Sequence, residues 1–266
     1  MVEGAPDSRL ALALEAHRRY LRHLTRSGGG SHEERDGILL LAGPHERPLI
    51  VNTAWRLDER VPAEEVIAHA DRFFGRRRRR YELMCVAGAD EDLRSAALAR
   101  GFASAEGDPV QLLDGEPTAP AAVLDGIDIR VVRDVVGHAD LVAVGADAIA
   151  IYGVPEEFFR AILARPATVL DPAIHAVVAY DGDRPVASAQ VMVEGEVGYV
   201  GWVGVVRDAM RRGLGRLVTD AVVRAGLERG ARRSVLVASP MGAPLYRRMG
   251  FVDVGALEAM RSPRRP

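Results

Sequence analysis

A run with the alternation of a strand, Val203-Gly204-Val205-Val206, leads into Arg207-Asp208-Ala209-Met210-Arg211-Arg212-Gly213-Leu214-Gly215-Arg216-Leu217. Glycines at the start of a helix let backbone N–H groups come close to an anion, and the helix dipole adds positive potential there. The helix itself is marked by Leu214, Leu217, Val218, Ala221 and Val222 on one side. With Arg211, Arg212 and Arg216 alongside, Gly213 and Gly215 make a site suited to a pyrophosphate. On spacing alone, a glycine turn among solvated arginines is an equal reading, because short glycine motifs are weak signals.

A second segment lies downstream: Leu236-Val237-Ala238-Ser239-Pro240-Met241-Gly242-Ala243-Pro244-Leu245-Tyr246-Arg247-Arg248-Met249-Gly250-Phe251. It reads as a strand, a short helix carrying Leu-Tyr, and a Gly-Phe pair. In their order and separation the two segments resemble the acyl-CoA-binding motifs of the GNAT acetyltransferase superfamily. The resemblance covers about residues 127–261 and implies an α/β fold of the GNAT type, with a mixed α+β sheet.

What the resemblance implies for the site is specific. Acetyl-CoA is the donor. Its pantetheine arm lies along Val203, Gly204 and Val205, and its pyrophosphate meets Arg211, Arg212, Gly213, Leu214, Gly215 and Arg216. A backbone N–H at Gly204 or Val205 stabilises the oxyanion, and Tyr246 is the acid for the departing thiolate. Core packing is the alternative for Tyr246. Ser239, where the family commonly has Asn, bonds the pantetheine arm or caps the helix beginning near Met241. Arg207 stands where Pro is frequent. Met210, where Gln or Arg is usual, has no side-chain donor for a phosphate. Some members carry a glutamate base on the preceding strand; Tyr199 holds that position. Glu194 and Glu196 read as a solvated turn, and a water chain is the other route for the amine proton.

The acceptor implied is a primary amine, on a small molecule rather than a protein. Tyr152, Phe158 and Phe159 fall where the family shapes its acceptor pocket, although core packing fits each of them equally. Asp147, Glu156 and Glu157 are candidates to attract a cationic amine, with surface charge as the default. A non-catalytic acyl-CoA-binding or regulatory protein is the alternative function.

The elements that must position these residues come in two series. The first has a helix over 8–26, strands over 38–42 and 48–54 expected to lie antiparallel, a helix over 63–74, a strand over 81–87, a helix over 91–100 and a strand over 110–113. The second has a strand over 127–132, helices near 138–150 and 155–164, and strands over 174–180 and 185–193 around Asp181-Gly182-Asp183. A strand over 197–206, a helix over 213–229, a strand over 234–238, a helix over 241–249 and short closing strands complete it. Arg100-Gly101-Phe102 matches Met249-Gly250-Phe251 at an offset of 149 residues, and three further elements agree at that offset. Two tandem GNAT-like domains are therefore expected, at 1–114 and 127–266, joined by a Pro- and Ala-rich linker at 115–126. At the same offset Glu64 falls on Gly213, Val66 on Gly215 and Ala97 on Tyr246. The first half thus looks degenerate, and its expected role is to cover the catalytic half or to shape the acceptor site.

The chain has 266 residues, 48% of them hydrophobic, and a net charge of −2, which gives no general pull toward nucleic acid or membrane. It contains no lysine. That excludes a lysine Schiff base and a phosphate loop ending in Lys-Ser or Lys-Thr. The one cysteine, Cys85, rules out a disulfide within the chain, so a cytoplasmic, reducing setting is expected. The N-terminal residues are too charged for a signal peptide, and no membrane span is expected. The seven histidines show no metal-ligand spacing with Cys85, so no metal is expected. The run Arg76–Arg80 follows a helix end, where cations sit well without a partner. A monomer or homodimer is expected.

Overall fold

A computed structural model of the chain describes residues 8–46, 50–105 and 107–263. The first half runs α1 (Ser8–Ser27), β1 (Ser31–Arg35), β2 (Ile38–Ala42), β3 (Asn52–Arg56), α2 (Ala63–Arg76), β4 (Glu82–Val86), α3 (Glu91–Ala99), β5 (Ala103–Ser104) and β6 (Asp108–Asp114). The second runs β7 (Ile127–Val131), α4 (Val135–Ile149), α5 (Glu156–Ile162), β8 (Ile174–Asp181), β9 (Arg184–Glu194), β10 (Val197–Val205), α6 (Leu214–Glu228), β11 (Arg233–Val237), α7 (Ala243–Arg248) and β12 (Val252–Arg261). The expected strand from residue 48 starts at Asn52; Pro48 and Leu49 lie outside the described residues. Local chemistry accounts for several boundaries. Asp134 caps α4 by accepting from the N–H groups of Val136 and Gly137. Gly182, at φ 61°, turns β8 into β9.

All described strands join one mixed sheet in the order β1-β2-β3-β4-β12-β6-β11-β10-β9-β8-β7, with β5 beside β12. Helices cover both faces. On one face α1, α4 and α5 bury Tyr20, Leu24, Leu141 and Phe159 against Val178, Tyr199 and Val235. On the other, α2 and α3 bury Phe73, Phe74 and Leu93 against Leu83. Beside them α6 and α7 bury Val218, Val222 and Tyr246 against Val200 and Leu236. Each fully buried side chain of this size contributes roughly 1.5–3 kcal/mol. The stretch Val135–Tyr152 is long and apolar enough to cross a membrane by composition alone. It is α4 and the turn after it, with Leu141, Val142 and Val144 buried.

The halves repeat each other. β2 and β3 pair antiparallel and β3 and β4 parallel, as do β9 with β10 and β10 with β11. They are not closed units, however. β6 pairs with β11 of the second half, from Val110↔Val237 to Asp114↔Arg233. β12 pairs with β4 of the first half, from Leu257↔Val86 to Arg261↔Glu82. Each half thus lends a strand to the other. Residues 115–126 connect them as a strap held on the second half rather than as a free tether. Thr118 N–H donates to Met249 O at 3.0 Å, and Arg216 donates to Ala119 O at 2.8 Å.

Candidate active site

The parallel strands β10 and β11 pair only at Val197↔Arg233, Gly198↔Ser234 and Tyr199↔Val235. Beyond Tyr199 they part, and a notch opens in the sheet. On its other edge β10 pairs Gly201 with Gln190 and then Gly204 with Ser188. Three steps on β10 thus face two on β9, which is a β-bulge. Trp202, inside the bulge, takes a left-handed φ of 51°. Gly201 is required by packing, since a Cβ there would lie 2.7 Å from the Tyr20 hydroxyl. Past the bulge, Val206 N–H donates to Val186 O at 3.0 Å. Successive N–H groups face opposite edges of a strand, so the Val205 N–H faces the notch. Of the two oxyanion donors expected, the geometry therefore favours Val205 over Gly204.

The notch leads to the turn before α6. Arg211 has φ 63° and Gly213 φ 87°, both left-handed. The helical hydrogen bonds begin with Leu217 N–H to Gly213 O at 3.1 Å, which leaves the N–H groups of Leu214, Gly215 and Arg216 without intrahelical acceptors. The Leu214 side chain is in the core, so only its backbone faces the turn. Gly215 is flanked by Leu245 and Val205; a Cβ there would meet them at 3.4 and 3.6 Å. Arg212 pairs with Asp181 at 2.9 Å and Arg207 with Asp147 at 3.0 Å. Arg216 reaches only a carbonyl, and Arg211 has no partner among the described residues. Two cations at the turn thus remain without a carboxylate.

Tyr246, on α7, is 8% exposed. Among the described residues its hydroxyl has no hydrogen-bond partner. Burial pushes its pKa well up, with Tyr152 nearby adding to the effect, so the phenol is protonated. Ser239 Oγ accepts from Gly242 N–H at 3.1 Å and lies 2.8 Å from the Tyr152 hydroxyl. Exposed Tyr152 thereby links the segment between α4 and α5 to the turn before α7. Val203 is half-buried beside the bulge.

Several of the acceptor and base candidates are engaged elsewhere. Asp147 binds Arg207 through its backbone N–H and its guanidinium. Although burial opposes it, those bonds hold its carboxyl below the usual range. Glu156 pairs with Arg160, Glu194 with Arg19 and Glu196 with Arg232. Phe158 packs on His45, and Phe159 meets Trp202 and lies over Gly145; both are core. In the arginine run, Arg77 covers the Phe73 ring, Arg79 donates to Gly43 O and Arg80 to Ser262 O. Among the described residues no group of three His, Cys, Asp or Glu is placed to hold a metal.

Sequence reasoning missed the contribution of α1. His17 Nδ1 lies 2.7 Å from the Tyr199 hydroxyl. Tyr20 stacks on Tyr199 with centroids 4.7 Å apart, and its hydroxyl accepts from Gln190 Nε2 at 2.5 Å. The signal was present, because His17 sits in the apolar stripe of Leu10, Leu14, Leu21 and Leu24. Burial, then the neighbouring Arg18, lower its pKa to about 3.

The equivalent notch of the first half is filled. β3 and β4 pair at Thr53↔Glu82, Ala54↔Leu83 and Trp55↔Met84, and Arg56 follows directly. It bonds Asp90 and Asp92 at 2.6–2.9 Å. At the offset of the repeat Arg56 falls on Val205 and Asp90 on Ser239. Glu64, at the start of α2, pairs with Arg100.

Residues 172–253 match the family model described as acetyltransferase (GNAT) domain. Solved structures share the architecture over nearly the whole chain. A GCN5-related N-acetyltransferase from Kribbella flavida is 21% identical with a TM-score of 0.69, covering 93% of this chain and 95% of its own. One from Sphaerobacter thermophilus is 16% identical with a TM-score of 0.64, covering 97% and 92%. A tandem GNAT protein from the clavulanic acid biosynthesis pathway is 16% identical with a TM-score of 0.60, covering 95% and 96%. At these identities the likeness is one of fold. No curated protein matches the chain.

Proposed function

We propose that this chain, whose residues 172–253 are a GNAT acetyltransferase domain, transfers an acetyl group from acetyl-CoA to a primary amine of a small-molecule acceptor. The observation that carries this reading is the continuity of notch and anion site. The gap between β10 and β11 runs into the turn at Arg211–Arg216, where free helix N–H groups, Gly213 and Gly215 lie beside Arg211 and Arg216. In this reading Val203 and Val205 flank the pantetheine arm.

The chemistry follows from the groups present. The amine nitrogen attacks the thioester carbonyl carbon, and the Val205 N–H stabilises the oxyanion that develops. As the C–S bond breaks, Tyr246 gives its proton to the thiolate sulfur and regains one from solvent. The amine gives up its proton to water. A phenol whose pKa burial has raised is in the right form to donate. Ser239, already bonded to Gly242 and Tyr152, holds the turn before α7.

Thiol release from acetyl-CoA, measured with a panel of amines, tests this. Release that depends on one amine, with mass spectrometry of the acetylated product, is the expected result. Met210 and the absence of a carboxylate at Tyr199 favour a second reading, a non-catalytic acyl-CoA-binding or regulatory protein. Tight CoA binding with no turnover on any amine is its signature.

A further inference from the structure

The Tyr199 hydroxyl stands where β10 and β11 part, and groups from both halves of the chain surround it. The Val237 N–H, on β11, is directed at it from across the gap. Tyr246 and Asp108 act on it electrostatically, after burial, in the same direction. His17 Nδ1, from α1 of the first half, lies 2.7 Å away. The imidazole is fixed by its surroundings, with the Trp55 ring edge-on at 5.6 Å and the Tyr199 ring at 5.2 Å. Tyr20, one turn along α1, stacks on Tyr199 and is tied to Gln190.

A phenol has one proton to donate and two lone pairs to accept with. One lone pair of Tyr199 faces the Val237 N–H. We propose that the Tyr199 proton goes to Nδ1 of His17, and that the remaining lone pair accepts an N–H of the acceptor amine. His17 is then a positioning residue for the transfer, carried by the half of the chain that lacks the anion site. The inference rests on the reading of the notch as the place of acetyl transfer.

The amine is oriented by this arrangement. With one N–H held by Tyr199, its own lone pair is turned toward the thioester. The arrangement needs a neutral imidazole whose Nδ1 bears no proton, and the site is built for one. His17 is partly buried with Arg18 beside it. The carboxylate of Glu15 on the same helix is taken up by Arg19 and Arg22.

The experiment uses the full chain, with acetyl-CoA as donor and hydroxylamine as acceptor. Hydroxylamine is small and largely unprotonated near neutral pH. Loss of orientation predicts a fall in kcat of about 10–100-fold for His17→Ala, with KM for acetyl-CoA within about twofold. His17→Gln offers a carboxamide oxygen to the same phenol proton and recovers most of the loss. Tyr199→Phe is as severe as His17→Ala, and the double variant is no worse than either. Long-range proton–nitrogen spectra show Nδ1 of His17 without a proton in the wild type. Wild-type kcat in His17→Ala, no rescue by Gln, additive losses or a protonated Nδ1 overturns the proposal while leaving acetyl transfer in place. A wild-type chain that binds CoA and transfers nothing to hydroxylamine or to any amine of the panel overturns the transfer reading, and this role with it.

Discussion

Arg56 gives two N–H groups to one carboxylate oxygen of Asp90, from Nε at 2.9 Å and from Nη2 at 2.6 Å. Both side chains are buried. In the second half the corresponding residues, Val205 and Ser239, border an open notch. The chain should therefore bind a single CoA. Calorimetric titration should give a stoichiometry near one; a value near two would show that the first notch opens.

The same pair sets a stability test. Arg56→Met removes the cation and leaves the Asp90 carboxylate buried, 7% exposed in its side chain. Breaking a buried pair from one side costs about 3–5 kcal/mol. Thermal unfolding should show a clear fall in Tm, with CoA affinity preserved in the folded protein. An unchanged Tm would mean that water reaches Asp90.

Gly215→Glu tests the anion site more cleanly than a change at Gly213, whose φ of 87° strains any side chain. At Gly215 a Cβ makes ordinary contacts, while the new carboxylate opposes the pyrophosphate. Two unit charges about 4 Å apart repel by roughly 1 kcal/mol in water and by more in a partly dry cleft. CoA affinity should drop by about tenfold or more, with the circular dichroism spectrum unchanged. Unaltered affinity would remove the turn from the site.

Tyr246→Phe keeps the ring against Phe251 and removes the proposed acid. Turnover should fall by roughly ten- to a thousandfold, within or below the usual range for acid–base catalysis, while CoA affinity stays the same. Wild-type turnover would return Tyr246 to packing alone.

His17 also leaves a signature in stability. Its pKa is about 3 in the folded chain against 6.5 when free, so between those values the unfolded chain binds the extra proton. Stability is full above pH 6.5 and declines as the pH falls toward 3. His17→Gln has no such proton, and its Tm should fall less steeply over pH 6.5–4 than that of the wild type. Parallel slopes would mean that His17 titrates normally in the fold.

What the sequence made legible was local. The turn at Arg211–Arg216, the Leu-Tyr helix and the repeated series each follow from a few neighbouring residues. β1 was not expected, because Ser31–Arg35 has no apolar alternation; it is an exposed edge strand. The bulge at Trp202 was legible only through Gly201 and Gly204, the two glycines that bound it. Asp147 was a candidate for a cationic amine, but its pairing with Arg207 joins residues 60 positions apart. The contact between His17 and Tyr199 spans 182 positions, and no spacing rule relates them.

The exchange of β6 and β12 has a consequence for synthesis. When the first half leaves the ribosome, β4 has an unpaired edge, and its partner Leu257–Arg261 follows only after β7 to α7 have been made. An open edge is a template for wrong pairing, and pairings distant in sequence form slowly. The two halves must therefore finish folding together, with β12 as the closing step. Loss of residues 252–261 would leave both halves open-edged, even though the proposed anion site lies far upstream of the cut.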